Sequence, residues 1–161
     1  QAIKKAAEIG WKPQHYLNSV SNAVGSVLTP AGLDASMGLI TAGYIKDPTD
    51  PQFQKGKEWD DWVAWMKQYH PQGALNDNFN VYGYSVGQTL VQVLKQAGDD
   101  LSRENIMRQA KNLRGLELPM LLPGIKVDTS PTDYHPIQQL QLMRWDGERW
   151  VRFGPVLTDE K

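Results

Sequence analysis

Residues 118–137 read LPMLLPGIKVDTSPTDYHPI, and residues 138–153 continue as QQLQLMRWDGERWVRF. In the second stretch, Asp146-Gly147 separates two runs of residues that favour β-strands, and Asp-Gly tolerates the positive φ angles of a tight hairpin turn. Trp145 and Trp150 flank this turn and can pair across the two strands. Pro119 and Pro123 break the first stretch into extended pieces. The sequence therefore predicts an irregular extended segment that leads into a C-terminal β-hairpin.

The residues before this segment alternate between helical and strand patterns. Apolar residues share one helical face over residues 3–10, and Gly10 stands where a left-handed C-terminal cap is wanted. Short strands are predicted at residues 15–18 and 37–45, and the prolines of residues 46–51 end the second strand. Such alternation of helices and strands is typical of an α/β fold.

Three helices are predicted between residues 59 and 113. The first carries Trp59, Trp62, Met66 and Tyr69 on one face. Asn76-Asp-Asn78 caps the second, and Ser102 caps the third. The second has the widest apolar face and is expected to be the most buried, with these residues inward: Val81, Tyr82, Val86, Leu90, Val91, Val93, Leu94 and Ala97.

Composition excludes several classes of protein. The chain has 161 residues, a net charge of −1 and no cysteine. It therefore has no basic patch expected for a nucleic-acid partner and no disulfide or thiolate metal site. The residues His15, His70 and His135 are scattered without ligand spacing, so no metal is expected. Gly83-Tyr-Ser-Val-Gly87 spells a nucleophile-elbow pattern, but inside a predicted helix rather than after a strand, and we predict no catalytic residue and no cofactor.

Two polar loops are candidates for ligand binding. Residues 18–22 follow a predicted strand directly and are rich in side-chain donors, and ligands of open α/β sheets bind beyond the carboxyl ends of strands. Residues 76–80 form a polar helix entry that carries Phe79. A simple helix cap explains the first loop about equally well, and capping alone explains most of the second. The candidate ligand-binding residues are Asn18, Ser19, Val20, Ser21 and Phe79.

Six tryptophans leave a second interpretation open. Aromatic platforms bind sugars, and Trp59, Trp62 and Trp65 are close in sequence. Helical spacing explains Trp59 and Trp62 more simply as a packing face. A sugar-binding module or an enzyme domain would require this platform at the surface.

The order and spacing of these segments resemble the C-terminal part of type I periplasmic solute-binding proteins that serve ABC importers of branched-chain amino acids and related compounds. Residues 1–11 resemble the helix near the end of the first lobe-two segment, and residues 38–51 resemble the strand that leaves lobe two and crosses a hinge. Residues 82–98 resemble the long lobe-one helix, and residues 102–105 open the next helix.

The resemblance implies an incomplete type I periplasmic-binding-protein-like α/β fold, with helices packed on partial sheets and a C-terminal hairpin. Residues 1–44 and 137–161 would belong to lobe two and residues 45–136, mostly helical, to lobe one. The N-terminal half of the protein would be missing, and the exposed sheet edges would make the piece self-associate. The two lobes would close on a solute like a hinge.

The resemblance also implies a function outside the cytoplasm, in the periplasm. The protein would capture a small organic solute and present it to the membrane subunits of an ABC importer; the alternative is a ligand-sensing domain of the same fold. Family members that bind α-amino acids often place an acid after the strand corresponding to residues 15–18. Residues 18–22 contain no acid, which favours organic acids or neutral aromatics over leucine or valine, because an unpaired buried ammonium is costly.

Overall fold

A computed structural model gives the fold, and the structure describes residues 1–158. Three strands form one antiparallel sheet in the order β1-β2-β3: β1 (Ile40–Gly43), β2 (Gln139–Trp145) and β3 (Trp150–Thr158). Five helices accompany it: α1 (Ala2–Glu8), α2 (Thr29–Ala31), α3 (Lys57–Tyr69), α4 (Asn78–Ala97) and α5 (Arg103–Ala110). This mixture of helices with a partial sheet confirms the predicted fold class. The end of the predicted hairpin segment, residues 159–161, lies outside the described residues.

The C-terminal hairpin has the predicted turn. Asp146 Oδ1 accepts hydrogen bonds from the backbone N–H groups of Glu148 and Arg149, at 2.9 and 2.8 Å. Gly147 has a φ of 105°, which a residue with a Cβ rarely adopts. Trp145 and Trp150 are paired across the strands, with ring centroids 5.6 Å apart in an edge-on arrangement. The hairpin therefore places a rigid aromatic pair beneath its turn.

The two predicted N-terminal strands are shorter than the sequence pattern suggested. Residues 15–18 contribute one parallel bridge, Tyr16 to Ile40, because Leu17 N–H donates to Ile40 O and Ile40 N–H donates to His15 O. The strand predicted at 37–45 is reduced to Ile40–Gly43. A 3₁₀ turn precedes it and Gly38 has a positive φ, while Lys46 N–H donates to Met120 O and draws the chain away from the sheet.

Helix boundaries follow the capping residues. Asp77 Oδ1 accepts from Phe79 N–H at the start of α4, and Ser102 Oγ accepts from Asn105 N–H at the start of α5. Asn105 Nδ2 in turn donates to the carbonyls of Ala97 and Asp100, which fixes the α4–α5 corner. The predicted helices are therefore confirmed, including their N-terminal caps.

The predicted burial of α4 is wrong for most of the residues that define its face. Val81, Val93 and Ala97 are buried, but Tyr82, Val86, Leu90, Val91 and Leu94 are between 40 and 53% exposed. Val81 packs with Trp62 and Met66 of α3, so α4 uses its narrower face against α3. On α3, Trp62 and Met66 are buried as predicted, whereas Tyr69 is exposed.

Two clusters form the core. The larger surrounds the sheet and unites the N-terminal segment with the hairpin, through residues such as Leu28, Leu39, Met143 and Trp145. The smaller joins α3 and α4 through Trp62, Met66, Val81 and Met120. Residues 44–53 connect the two clusters, because Ile45 contacts both of them. Among residues 1–158, no helix is long and apolar enough to cross a lipid bilayer.

Candidate ligand-binding site

A cavity of about 560 Å³ opens where five segments of the chain meet. The segments are residues 19–22, residues 43–53, the first turns of α4, the chain at Leu122, and the hairpin around its turn. Pockets of this size hold small organic ligands. Most of its wall is apolar or aromatic: Val20, Tyr44, Ile45, Phe53, Phe79, Tyr82, Leu122, Met143, Trp150 and Val151.

Asn22 joins three of the five segments. Its side-chain oxygen accepts from Asn78 Nδ2 at 3.1 Å, and its backbone carbonyl accepts from Trp150 Nε1 at 2.9 Å. These bonds link the N-terminal turn to α4 and to the hairpin. Because Asn22 and Trp150 are both buried, the bonds are shielded from water and hold the cavity in shape.

The first candidate loop forms a 3₁₀ turn, Ser19–Ser21, at the edge of the cavity. Asn18 Oδ1 accepts from Val20 N–H at 3.0 Å, so Asn18 caps this turn and does not line the cavity. Ser19 and Val20 line the cavity, whereas Ser21 lines a separate groove beside α1. Within residues 1–158 the Ser19 hydroxyl makes no hydrogen bond, which leaves it available to a ligand.

The second candidate loop brings Phe79 to the cavity wall. Phe79 is 52% exposed and lies in the first turn of α4, beside Asn78 and Tyr82. Burial raises the pKa of the Tyr44 phenol, and Tyr82 adds to that rise, so Tyr44 stays neutral near pH 7. The hydroxyl groups of Tyr44 and Tyr82 can donate or accept hydrogen bonds.

Two carboxylates line the cavity although the loop at residues 18–22 contains none. Asp47 Oδ1 accepts from the Thr49 backbone and hydroxyl at 2.9 and 2.7 Å, and Asp50 Oδ1 accepts from Gln52 N–H at 2.9 Å. Burial raises the pKa of Asp47 more than these hydrogen bonds and one from the Val24 backbone lower it. The loop at residues 18–22 therefore has no acid, but the cavity that it helps to line has two.

The hairpin wall was missed by the sequence reasoning. Met143, Arg149, Trp150, Val151 and Arg152 line the cavity, and none was proposed as a ligand-binding residue. The run Arg149-Trp-Val-Arg-Phe153 contains two basic and two aromatic side chains, and this was the one signal that could have pointed to it. Trp150 pairs with Trp145, as predicted, and also lines the cavity.

The nucleophile-elbow pattern has a structural explanation. Ser85 is buried inside α4, and its hydroxyl donates to Val81 O at 3.0 Å. A hydroxyl in this arrangement is not exposed for attack on a substrate. The tryptophans of α3 do not form a surface platform either, because Trp62 is fully buried against Trp59.

A comparison with protein families gives a match over residues 1–149 to the model described as periplasmic binding protein. This match covers most of the chain. The chain belongs to the periplasmic binding protein family. Members of this family bind solutes and are not enzymes, in agreement with the absence of a catalytic arrangement in the sequence. A comparison with curated proteins gives no significant match.

Solved structures share the fold at low sequence identity. One is a branched-chain amino acid ABC transporter protein from Thermus thermophilus with bound valine, with 15% identity and a TM-score of 0.77 over 98% of this chain and 42% of that one. Another is a possible leucine/isoleucine/valine-binding protein from Rhodopirellula baltica, with 17% identity and a TM-score of 0.70 over 94% and 38%. The chain therefore spans about two fifths of the length of the structures it matches.

Proposed function

We propose that this chain is part of an extracytoplasmic solute-binding protein that delivers a small organic solute to the membrane subunits of an ABC importer. The observation that carries the proposal is the cavity of about 560 Å³, in which Ser19, Asn78 and two tyrosines stand among apolar walls. A concave, mostly apolar site with a few fixed polar groups is the usual form of a small-molecule site. Membership of the periplasmic binding protein family supports the same function.

The solute that fits best is an organic acid or a neutral aromatic rather than leucine or valine. An ammonium group needs a carboxylate when it is buried. Asp47 is occupied by Thr49 and by the Val24 backbone, and Asp50 holds the Gln52 N–H. An amino-acid ligand would have to compete with these hydrogen bonds, whereas an apolar body would meet Phe53, Phe79 and Trp150 without such a cost.

A thermal-unfolding screen of matched solutes tests this proposal in the full-length protein. Leucine is paired with 4-methylpentanoate, and phenylalanine with 3-phenylpropanoate, so that each pair differs only in the amino group. A bound solute stabilises the folded state by about 2.7 kcal/mol at 100 times its Kd. We expect the deamino compounds to stabilise more than their amino acids. Stabilisation by the amino acids alone would contradict the proposed solute class, and no stabilisation by any small solute would contradict the proposed function.

We further propose that residues 1–44 and 137–161 belong to one lobe and residues 45–136 to the other. The pairing of β1 with β2 supports this division, because it joins the N-terminal segment to the hairpin across about a hundred residues of chain. The cavity lies between these groups: residues 19–22 and the hairpin on one side, Asn78, Phe79 and Tyr82 on the other. Hinge closure would then narrow the cavity around the solute.

A further inference from the structure

Two arginines lie on the hairpin wall of the cavity. Arg149 belongs to the turn, and Arg152 lies on β3, where it pairs with Met143, another cavity residue. Trp150 stands between them and is fixed by its hydrogen bond to Asn22 O. Trp150 and Arg152 are two residues apart on β3 and therefore share one face of the sheet. Arg149 lines the same cavity from the turn.

Within residues 1–158, neither guanidinium forms an ion pair or a hydrogen bond, although Arg149 is near enough to Asp146 to contribute to the lowered pKa of that carboxyl. The ion pairs of this part of the chain join carboxylates to Lys5, Lys46, Lys57, Lys126 and His135, and none includes Arg149 or Arg152. The backbone of Arg149 is held by Asp146, at 2.8 Å from its N–H to Oδ1, but its side chain makes no hydrogen bond in the described chain. Arg152 lies over the Phe53 ring, 5.8 Å from its centroid, and this contact orients the guanidinium without neutralising it.

We propose that Arg149 and Arg152 form a carboxylate-binding subsite, and that the solute is a monocarboxylate with an apolar or aromatic body. This inference rests on the proposed solute-binding function and selects the acid from the two solute classes named above. A guanidinium matches a carboxylate with two parallel N–H donors, which fixes the orientation of the bound acid. The rings of Phe53 and Trp150 and the side chain of Met143 lie beside the two arginines and would hold the apolar body.

The structure offers a matched control for substitution. Arg144 lies on β2 and stacks over Phe153 at 5.4 Å, much as Arg152 stacks over Phe53, but Arg144 does not line the cavity. Arg144→Gln removes a charge and a cation–π contact of the same kind from the same sheet. Any effect of Arg152→Gln that Arg144→Gln does not reproduce is therefore an effect on the cavity.

The test is calorimetric titration of the full-length protein and of R149Q, R152Q and R144Q with 3-phenylpropanoate and with 3-phenylpropanamide. The acid and the amide share the same body, and only the acid carries a charge. We expect the wild type to prefer the acid, and R149Q or R152Q to weaken acid binding about tenfold or more while leaving amide binding unchanged. R144Q is expected to bind both as the wild type does.

The possible outcomes distinguish failure of the carboxylate subsite from failure of the proposed solute-binding function. Equal weakening of acid and amide in R149Q and R152Q, or no weakening of the acid in either variant, would overturn the carboxylate subsite and leave solute binding intact. A wild type that binds the amide as well as the acid would also overturn the subsite alone. A wild type that binds neither compound, nor any solute of the thermal screen, would overturn the proposed function together with the subsite.

Discussion

At the scale of single residues, the Ser19 hydroxyl is the clearest test of the first candidate loop. It lines the cavity without a hydrogen-bond partner in the described residues, and Ser21, two positions away, lines a different groove. A hydrogen bond to a ligand contributes about 0.5–1.5 kcal/mol. We expect Ser19→Ala to weaken solute binding by a factor of about two to ten, measured by calorimetry, with no change in thermal stability.

Ser21→Ala is the matched control, because it removes a hydroxyl of the same kind from the same turn. We expect its affinity to equal that of the wild type. If both substitutions weaken solute binding equally, the conformation of the turn matters and not the Ser19 hydroxyl itself. If the affinity of Ser19→Ala is unchanged, the loop has only a structural role.

Asp47 gives a second test at this scale, in the pH dependence of stability. Burial raises the pKa of its carboxyl above 3.8 in the folded state, so the folded protein holds this proton more tightly than the unfolded chain. The stability that this provides is present in full below pH 3.8 and is lost as the pH rises through the folded pKa. As the pH rises through this range, the wild type should lose this stability and Asp47→Asn should not. We therefore expect the free energy of unfolding of Asp47→Asn to increase relative to that of the wild type, measured by urea unfolding.

The control for this experiment is Asp60→Asn, which removes an exposed carboxylate from α3. The change in unfolding free energy that it causes is the reference for the change caused by Asp47→Asn. A difference between Asp47→Asn and the wild type that does not vary with pH would mean that the hydrogen bonds to Asp47 offset its burial.

At the scale of elements, the helices were predictable because their signals are local. Asp77 and Ser102 cap α4 and α5 through bonds to residues two or three positions away. Which face of α4 is buried was not predictable, because α4 is apolar on more than one side and carries only one charged side chain, Lys95. The periodicity of apolar residues shows that such a helix is partly buried, but the elements that pack against it decide which face is buried.

The exposed side of α4 predicts self-association of the 161-residue chain. Val86 and Leu90 are 48 and 53% exposed and lie one turn apart. Apolar patches of this kind promote association. We expect the double variant Val86→Glu/Leu90→Glu to shift the chain toward monomer in size-exclusion chromatography with light scattering, without loss of thermal stability, since neither side chain is in the core.

Gln68→Glu, on the exposed surface of α3, adds charge without touching this side of α4. It is expected to leave the association state unchanged. An association state that neither variant alters would place the contact elsewhere, for instance at the sheet edges.

At the scale of the whole molecule, β1 and β3 are the outer strands of the sheet, and β3 pairs only with β2 in the described residues. Open strand edges pair readily with other chains. We expect the wild-type 161-residue chain to be a dimer or larger assembly that binds the solute poorly, since it spans 42% of the Thermus thermophilus structure. Light scattering and calorimetry check this, and a stable monomer that binds solute would contradict the lobe assignment.

The cavity was the least predictable feature, because it depends on how distant parts of the chain pack together. Its walls come from residues 19–22, 43–53 and 78–82, Leu122 and the hairpin, which are far apart in the sequence. Local patterns indicated Ser19, Val20 and Phe79, because polar loops follow a strand or open a helix. No local pattern indicated that Asn22 would bond to both Asn78 and Trp150. The basic and aromatic side chains of residues 149–153 were a signal for this wall, but they did not show that Arg149 and Arg152 line the same cavity.

The most direct test of the central claim is a crystal structure of the full-length protein with 3-phenylpropanoate, or with the acid that stabilises it most. The account predicts that the acid lies in the cavity, with its apolar body against Phe53 and Trp150 and its carboxylate within hydrogen-bonding distance of Arg149 or Arg152. An acid bound at another site, with this cavity empty, would contradict the account.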